Sequence, residues 1–168
     1  LGALAAARGG RDSRLAGNLA ALGVSADDIS VVSKHDTSTN ANDPNEAELH
    51  SLIAQALGRS EGNPLYVVSQ KTLTGHSKGG AALFQLAGLT QIFASGLIPG
   101  NMALDCMDPV FEEDSFLVWP RSPFQHEGVK AGLISSLGFG HVSAFIALAS
   151  PDAFEAAVAR AHGDEAAD

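Results

Sequence analysis

Short apolar runs alternate with stretches of helical spacing along most of the chain, and this alternation is typical of an α/β protein. The β-branched runs at 29–33 and 65–69 predict buried strands, each followed by a polar loop and then a helix. The spacing of apolar residues predicts helices over 12–22, 43–57 and 78–95. The last of these is apolar nearly all round and rich in glycine and alanine, so we predict that it lies buried in the middle of the fold.

The C-terminal part of the chain adds further strands and a last helix. Segments 116–119, 130–136 and 142–150 predict strands, and 151–162 predicts a short amphipathic helix. The acidic residues after that helix predict a frayed tail. These elements extend the α/β pattern without an internal repeat or a linker.

The predicted helix at 43–57 has a strong start signal. Asp43 can accept N–H bonds as its cap, Pro44 suits the first helical position, and Glu46 stands where a capping box has its glutamate. Gly58 is placed to end the helix. The sequence therefore predicts a capping role for Glu46.

Composition narrows the classes of function. A content of 45% hydrophobic and 17% charged residues describes a globular chain, and a net charge of -9 with only 10 Lys and Arg disfavours nucleic-acid binding. No apolar stretch is long enough to span a bilayer, and the N-terminal residues lack the basic segment of a signal peptide. The single cysteine, Cys106, fits a reducing, cytosolic setting, and the carboxylates beside it disfavour a nucleophilic thiolate.

Two histidines stand at strand-to-helix crossings. His35 lies in SKHDTSTNANDPNE and His76 in QKTLTGHSKGGAA, with Lys71 five residues before His76. Residues at the carboxyl ends of strands in an open α/β sheet meet in one crevice, so we expect the imidazoles and the ammonium to share a site. Neutral imidazoles that donate N–H bonds to a thioester or enolate oxygen suit carbanion chemistry. Glu46 is a candidate partner for Lys71.

A metal site is a weaker interpretation of the same residues. His35, Asp36 and His76 lack the close paired spacing of catalytic zinc ligands, so no metal is predicted. The remaining histidines, which lie in no supporting motif, are His50, His126, His141 and His162.

The segment GHSKG also matches the GxSxG nucleophile elbow of serine hydrolases, in which Ser77 would attack an ester. That motif requires a strand that runs directly into the elbow, whereas residues 70–74 intervene here. The candidate acid and base residues that follow in the required order are Asp105, Asp108, His126 and His141. A Ser77 hydrolase therefore stays open as an alternative.

Three ordered motifs, KHDTSTNANDPNE, QKTLTGHSKGGAA and SSLGFGH, resemble the C-terminal half of a β-ketoacyl synthase of the thiolase superfamily. The first motif and IPGNMALDCMDP look most like the ketosynthase domain of actinobacterial and fungal type I fatty acid synthases. The resemblance implies an α/β fold, namely one half of an α/β/α/β/α sandwich with a mixed sheet and a buried Gly/Ala-rich helix. It assigns residues 1–150 to the C-terminal part of the ketosynthase domain, and 151–168 to a short helix and acidic tail.

The resemblance also implies a reaction and its residues. The reaction is a decarboxylating Claisen condensation of malonyl and acyl thioesters that are carried on the phosphopantetheine of acyl carrier protein, with no cofactor bound directly. His35 and His76 match the residues that hydrogen-bond the malonyl thioester carbonyl, and Lys71 with its acidic partner Glu46 matches the pair that orders the site. The implied substrate-binding residues are Thr37 and Thr39 at the phosphopantetheine arm, and Gly138, Phe139 and Gly140 at the gate of the acyl pocket.

Some positions depart from the family pattern. Asp36 stands where most ketosynthases have glycine, and Leu137 and His141 also differ, which leaves the preferred acyl chain length open. The family's nucleophilic cysteine belongs well upstream of the His35 motif, and Cys106 does not match its context. We therefore expect a chain that is inactive alone and pairs with the N-terminal half of the ketosynthase domain in a homo-oligomer. A noncatalytic ketosynthase-like interaction module is the remaining alternative.

Overall fold

The computed structural model describes residues 8–138 and 142–163. The helices are α1 (Arg14–Ala21), α2 (Asn42–Leu57), α3 (Lys71–Thr74), α4 (Ala81–Ser95) and α5 (Pro151–His162). The strands are β1 (Ile29–Ser33), β2 (Leu65–Val68), β3 (Leu97–Ile98), β4 (Leu117–Val118), β5 (Phe124–Gln125), β6 (Ala131–Leu137) and β7 (Ser143–Ala149). None of these helices is both long enough and apolar enough to cross a membrane.

The main sheet is mixed and has the strand order β4-β2-β1-β6-β7. Strands β2 and β6 both pair in parallel with β1, β4 pairs in parallel with β2, and β7 closes the sheet antiparallel to β6. The central strand β1 is buried on both faces, as its run of β-branched residues predicts. A mixed sheet within an α/β fold is therefore confirmed.

Hydrophobic residues pack on both faces of this sheet. Helices α1 and α2 cover one face, where Leu19 and Ile53 join Val32 and Leu133 in the larger cluster. Helix α4 covers the other face, where Leu89 lies in a second cluster with side chains of the sheet. The sheet thus lies between two helical layers, and its parallel strands β1 and β2 end at the same edge.

Helix α4 is buried on only one side. Its buried residues fall at helical spacing and face the sheet, whereas Leu83, Phe84 and Leu86 on its other side are exposed. The predicted burial of this helix therefore holds for the side that faces the sheet, while the described residues supply no layer that covers the second side of α4.

The predicted cap of α2 is also wrong. The helix begins at Asn42, two residues before the predicted first helical position Pro44, and its N-cap residue Ala41 makes no side-chain hydrogen bond. The carboxylate of Glu46 is turned inward, where it accepts the backbone N–H groups of His35 and Asp36 instead of that of the helix start. A tertiary contact has therefore replaced the local one that the sequence pattern favoured.

The backbone at Gly100 passes so close to the backbone of Arg121 and Ser122 that position 100 has no room for a side chain. A β-carbon there would lie 2.6 Å from the carbonyl oxygen of Arg121 and 2.9 Å from the backbone nitrogen of Ser122. The next residue, Asn101, accepts the backbone N–H of Ser69 at 2.7 Å and donates to the carbonyl oxygen of Val67 at 2.9 Å. Asn101 thereby anchors the carboxyl end of β2, just before Lys71.

We predict that Gly100→Ala destabilises the fold by about 1–3 kcal/mol, because the new methyl group meets rigid backbone. Gly17→Ala is the matched control, since no atom lies within 4 Å of its β-carbon. At this exposed position of α1 the change should instead stabilise by about 0.5–1 kcal/mol. Thermal unfolding of both variants measures this, and a Gly100→Ala chain that unfolds at or above the wild-type temperature would contradict the packing argument.

Candidate active site

Strand β1 ends at Ser33, two residues before His35, and buried side chains hold the His35 backbone by hydrogen bonds. The N–H of His35 donates to Oε1 of Glu46 at 2.6 Å and to Oγ of Ser135 at 3.0 Å. The N–H of Asp36 donates to Oε2 of Glu46 at 2.7 Å. One carboxylate on α2 therefore fixes two consecutive peptide groups of the His35 loop.

Glu46 is fully buried yet remains a carboxylate. Burial alone would raise its pKa, but the contact with His50 and the hydrogen bonds from Ser135 and Asp36 outweigh burial and lower the pKa from 4.5 to about 2. The amide of Asn42 donates to Oε2 at 2.9 Å. Glu46 is therefore a fixed negative charge at neutral pH.

Lys71 holds the same histidine from the other side. At the start of α3, its Nζ contacts the carbonyl oxygen of His35 and lies 3.2 Å from Nδ1 of the His35 ring. Burial lowers the pKa of Lys71, and the charge of Glu46 opposes that shift. No salt bridge joins Lys71 to Glu46 in the part of the chain described, because the His35 backbone lies between them. The predicted direct pairing is wrong in this respect.

The rings of His35 and His76 meet, with centroids 5.9 Å apart and planes at 90°. His76 is exposed, and its Nδ1 accepts the backbone N–H of Lys78 at 3.1 Å, so the ring proton is on Nε2. Burial and then the charge of Lys71 lower the pKa of His35, which favours its neutral form. With Nδ1 of His35 facing the Lys71 ammonium, its proton is also on Nε2. Both imidazoles are thus Nε2–H donors.

The loop after His35 has an unusual backbone. Asp36 adopts φ 44° and Ser38 adopts φ 52°, in the left-handed region that glycine enters most easily. This conformation accounts for the glycine that the ketosynthase pattern has at position 36. The carboxylate of Asp36 forms an ion pair with Lys34 at 3.2 Å. Aspartate is one of the few side chains that tolerate this region.

The remaining residues of the predicted site are partly described. Thr37, two residues after His35, is half-buried. Thr39 is exposed, and its Oγ1 accepts the N–H of Asn42 at 3.2 Å. Gly138 follows β6 and donates its N–H to the carbonyl oxygen of Val142 at 2.7 Å. Phe139 and Gly140, predicted at the acyl-pocket gate, lie outside the described residues.

Sequence reasoning missed three buried polar residues around this site. Ser135 and His50 surround Glu46, and Gln85 on α4 donates from Nε2 to the carbonyl oxygens of Ser33 at 2.8 Å and of Ser135 at 3.1 Å. The spacing of Glu46 and His50, one turn apart on a helix, is the only local signal for any of them. Ser135 and Gln85 reach the site through tertiary contacts alone.

Other predicted chemistry does not assemble. Ser77 lies in an exposed turn, α3 separates it from β2, and its Oγ makes no hydrogen bond to a histidine or carboxylate among the described residues. Cys106 is exposed. Within residues 8–138 and 142–163, no three His, Cys, Asp or Glu side chains are grouped so that they could hold a metal ion. The histidine pair is therefore the candidate active site.

The fold is that of the thiolase-like ketosynthases. The structure matches the ketosynthase FabY from P. aeruginosa with a TM-score of 0.80 and 25% identity, over 98% of this chain and 25% of that one. It matches the ketosynthase from module 6 of the bacillaene synthase of Bacillus subtilis 168 with a TM-score of 0.70 and 21% identity, over 86% of this chain and 27% of that one.

Sequence comparison gives the family. Residues 2–105 match the model of the beta-ketoacyl synthase, C-terminal domain, and the chain belongs to this family. It is 43% identical over 155 residues to the fatty acid synthase subunit alpha of Candida albicans, over 92% of this chain and 8% of that protein. The same subunit of Saccharomyces cerevisiae is 43% identical over 145 residues, 84% of this chain. The chain thus spans about 8% of the length of these curated relatives.

The buried carboxylate predicts a pH-dependent stability. Because the pKa of Glu46 falls from 4.5 to about 2 on folding, the unfolded chain binds more protons in that interval. The free energy of unfolding should therefore fall by on the order of 3 kcal/mol as the pH is lowered through it. At pH 7 the free energy of unfolding of Glu46→Gln should be lower than that of wild type. On acidification it should not show the further fall that protonation of Glu46 causes in wild type.

The measurement is the unfolding free energy of wild type and variant between neutral pH and pH 2.5 or so. Glu48→Gln, at an exposed position on the same helix, is the control and should follow wild type. An equal acid dependence in Glu46→Gln and wild type would show that the carboxylate does not carry this stability.

Proposed function

We propose that this chain supplies the malonyl-binding half of a β-ketoacyl synthase site that forms carbon–carbon bonds in fatty acid synthesis. The observation that carries the proposal is the pair of imidazoles, 5.9 Å apart, whose Nδ1 atoms are each occupied by a donor. Each ring is left with an Nε2–H group. Two such donors on one carbonyl oxygen form an oxyanion hole.

In the proposed reaction, the bond between the malonyl α-carbon and its carboxylate breaks and carbon dioxide leaves. The electron pair moves to the α-carbon and is delocalised onto the thioester oxygen, where His35 and His76 donate hydrogen bonds to the enolate. The carbanion then attacks the carbonyl carbon of an acyl group held on a cysteine thioester. The new carbon–carbon bond forms as the carbon–sulfur bond breaks, and the cysteine leaves as a thiolate.

Lys71 and Glu46 position His35 in this scheme without touching the substrate. Glu46 fixes the N–H side of the His35 peptide and the Lys71 ammonium its carbonyl side. The same ammonium keeps Nδ1 of His35 free of a proton. Since both groups act on one residue, their effects on the enolate step should be strongly coupled.

The wider assembly is also part of the proposal. Similarity to fungal fatty acid synthase alpha subunits supports a type I fatty acid synthase, with substrates on the phosphopantetheine of acyl carrier protein. Thr37 and Thr39 would contact that arm, and Gly138, Phe139 and Gly140 would gate the acyl pocket. The nucleophilic cysteine would come from the N-terminal half of the ketosynthase domain. A homo-oligomer in the cytosol remains our expectation.

The two alternatives have less support. A Ser77 hydrolase needs a base hydrogen-bonded to the serine and an acid hydrogen-bonded to that base. The described residues contain no such relay at Ser77. A noncatalytic module leaves the paired Nε2–H donors and the half-buried lysine beside them without a purpose. Family membership and the fatty acid synthase relatives also favour the condensing enzyme.

We predict that His76→Ala in the complete enzyme lowers the rate of malonyl thioester decarboxylation by about 100-fold or more, the scale for loss of one oxyanion-hole donor. The measurement is the release of labelled carbon dioxide from a malonyl thioester. His162→Ala, at an exposed histidine at the end of α5, is the control and should keep wild-type activity. Near-normal decarboxylation by His76→Ala would overturn the proposed role.

A further inference from the structure

We infer that His50 is a positioning residue for the condensation reaction, acting through Ser135 and Glu46 on the backbone of His35. The inference rests on the proposed function. His50 is buried on α2, with 1% of its surface exposed, and lies behind the active site. It therefore acts on other residues of the chain and does not touch the substrate.

His50 belongs to a compact buried cluster. Its Nε2 lies 3.3 Å from Oγ of Ser135 and 3.7 Å from Oε1 of Glu46. Oγ of Ser135 lies 2.7 Å from the same Oε1 atom and 3.0 Å from the backbone nitrogen of His35. Ser135 and Glu46 are both fully buried, so water does not compete for these bonds.

The donors and acceptors of this cluster have only one consistent arrangement. The ionised Glu46 can only accept, so the single hydroxyl proton of Ser135 goes to Glu46. The lone pairs of Ser135 then accept the N–H of His35 and the Nε2–H of His50. Nε2 of His50 therefore carries a proton, and every hydrogen-bonding group of the Ser135 hydroxyl is used.

The donor from His50 holds the Ser135 hydroxyl in the orientation that serves both neighbours. Without it, one lone pair of Ser135 has no partner in a buried site, and the hydroxyl is free to turn away from Glu46. The N–H of His35 would then keep only one firm acceptor. A small shift of the His35 ring follows, and misplacement of a catalytic group by about 1 Å can cost as much as 100-fold in rate.

The effect should be confined to one half-reaction. In the proposed mechanism His35 acts on the malonyl thioester oxygen, so loss of His50 affects decarboxylation. Transfer of the acyl group to the enzyme's cysteine forms no enolate and should proceed normally. A mere loss of folding would lower both half-reactions together.

The test compares four variants of the complete enzyme. His50→Leu keeps the volume and removes the donor, His50→Gln restores an N–H donor, and Ser135→Ala removes the link itself. Ile53→Val, one turn further along α2 and 1% exposed, is the control for core destabilisation. Leucine is preferred to alanine because His50 also lines a cavity of about 250 Å³, which alanine would enlarge. Acyl loading and malonyl decarboxylation are measured separately, with kcat and KM.

We expect His50→Leu and Ser135→Ala to lower kcat for decarboxylation about 10-fold with little change in KM or in acyl loading. His50→Gln should recover to within about 3-fold of wild type. Full decarboxylation by His50→Leu, or equal losses in both half-reactions that Ile53→Val reproduces, would overturn the inference. A wild-type enzyme that loads acyl groups yet does not decarboxylate malonyl thioester would instead overturn the proposed function on which it rests.

Discussion

The site depends on one buried carboxylate. Glu46, itself fully buried, accepts hydrogen bonds from two consecutive backbone N–H groups of the His35 loop, from Ser135 and from Asn42. The contact with His50 and the bonds from Ser135 and Asp36 stabilise its charge enough to lower its pKa to about 2 despite burial. They also tie α2 to the end of β1, so a single side chain joins the fold to its chemistry.

The fixed negative charge of Glu46 is matched by a positive charge on the other side of the His35 peptide. Lys71 approaches the opposite side of the same peptide and places its ammonium next to Nδ1 of His35. Burial and, after it, this ammonium oppose protonation of the ring and lower the pKa of His35. The result is a neutral donor in a charged environment, which suits the stabilisation of an enolate oxygen without a proton transfer to it.

Much of the fold could be predicted because the apolar pattern reports burial directly. The bounds of β1 and α5 agree with the sequence pattern, since a β-branched run and an amphipathic spacing are local properties. The cap of α2 was predicted wrongly because a tertiary partner, the His35 backbone, outcompetes the local one for Glu46. Strands β3 and β5, two residues each, leave no periodic signal. His50 and Ser135 are 85 residues apart, so no sequence window contains both.

The central claim is that His35 and His76 are both neutral and both carry their proton on Nε2. Nitrogen NMR of the ketosynthase labelled with ¹⁵N-histidine measures this directly at neutral pH, with His35→Ala and His76→Ala to assign the signals. We predict, for both residues, a protonated Nε2 and an unprotonated Nδ1 that accepts a hydrogen bond. An imidazolium at either position, or a proton on Nδ1 of His76, would contradict the account.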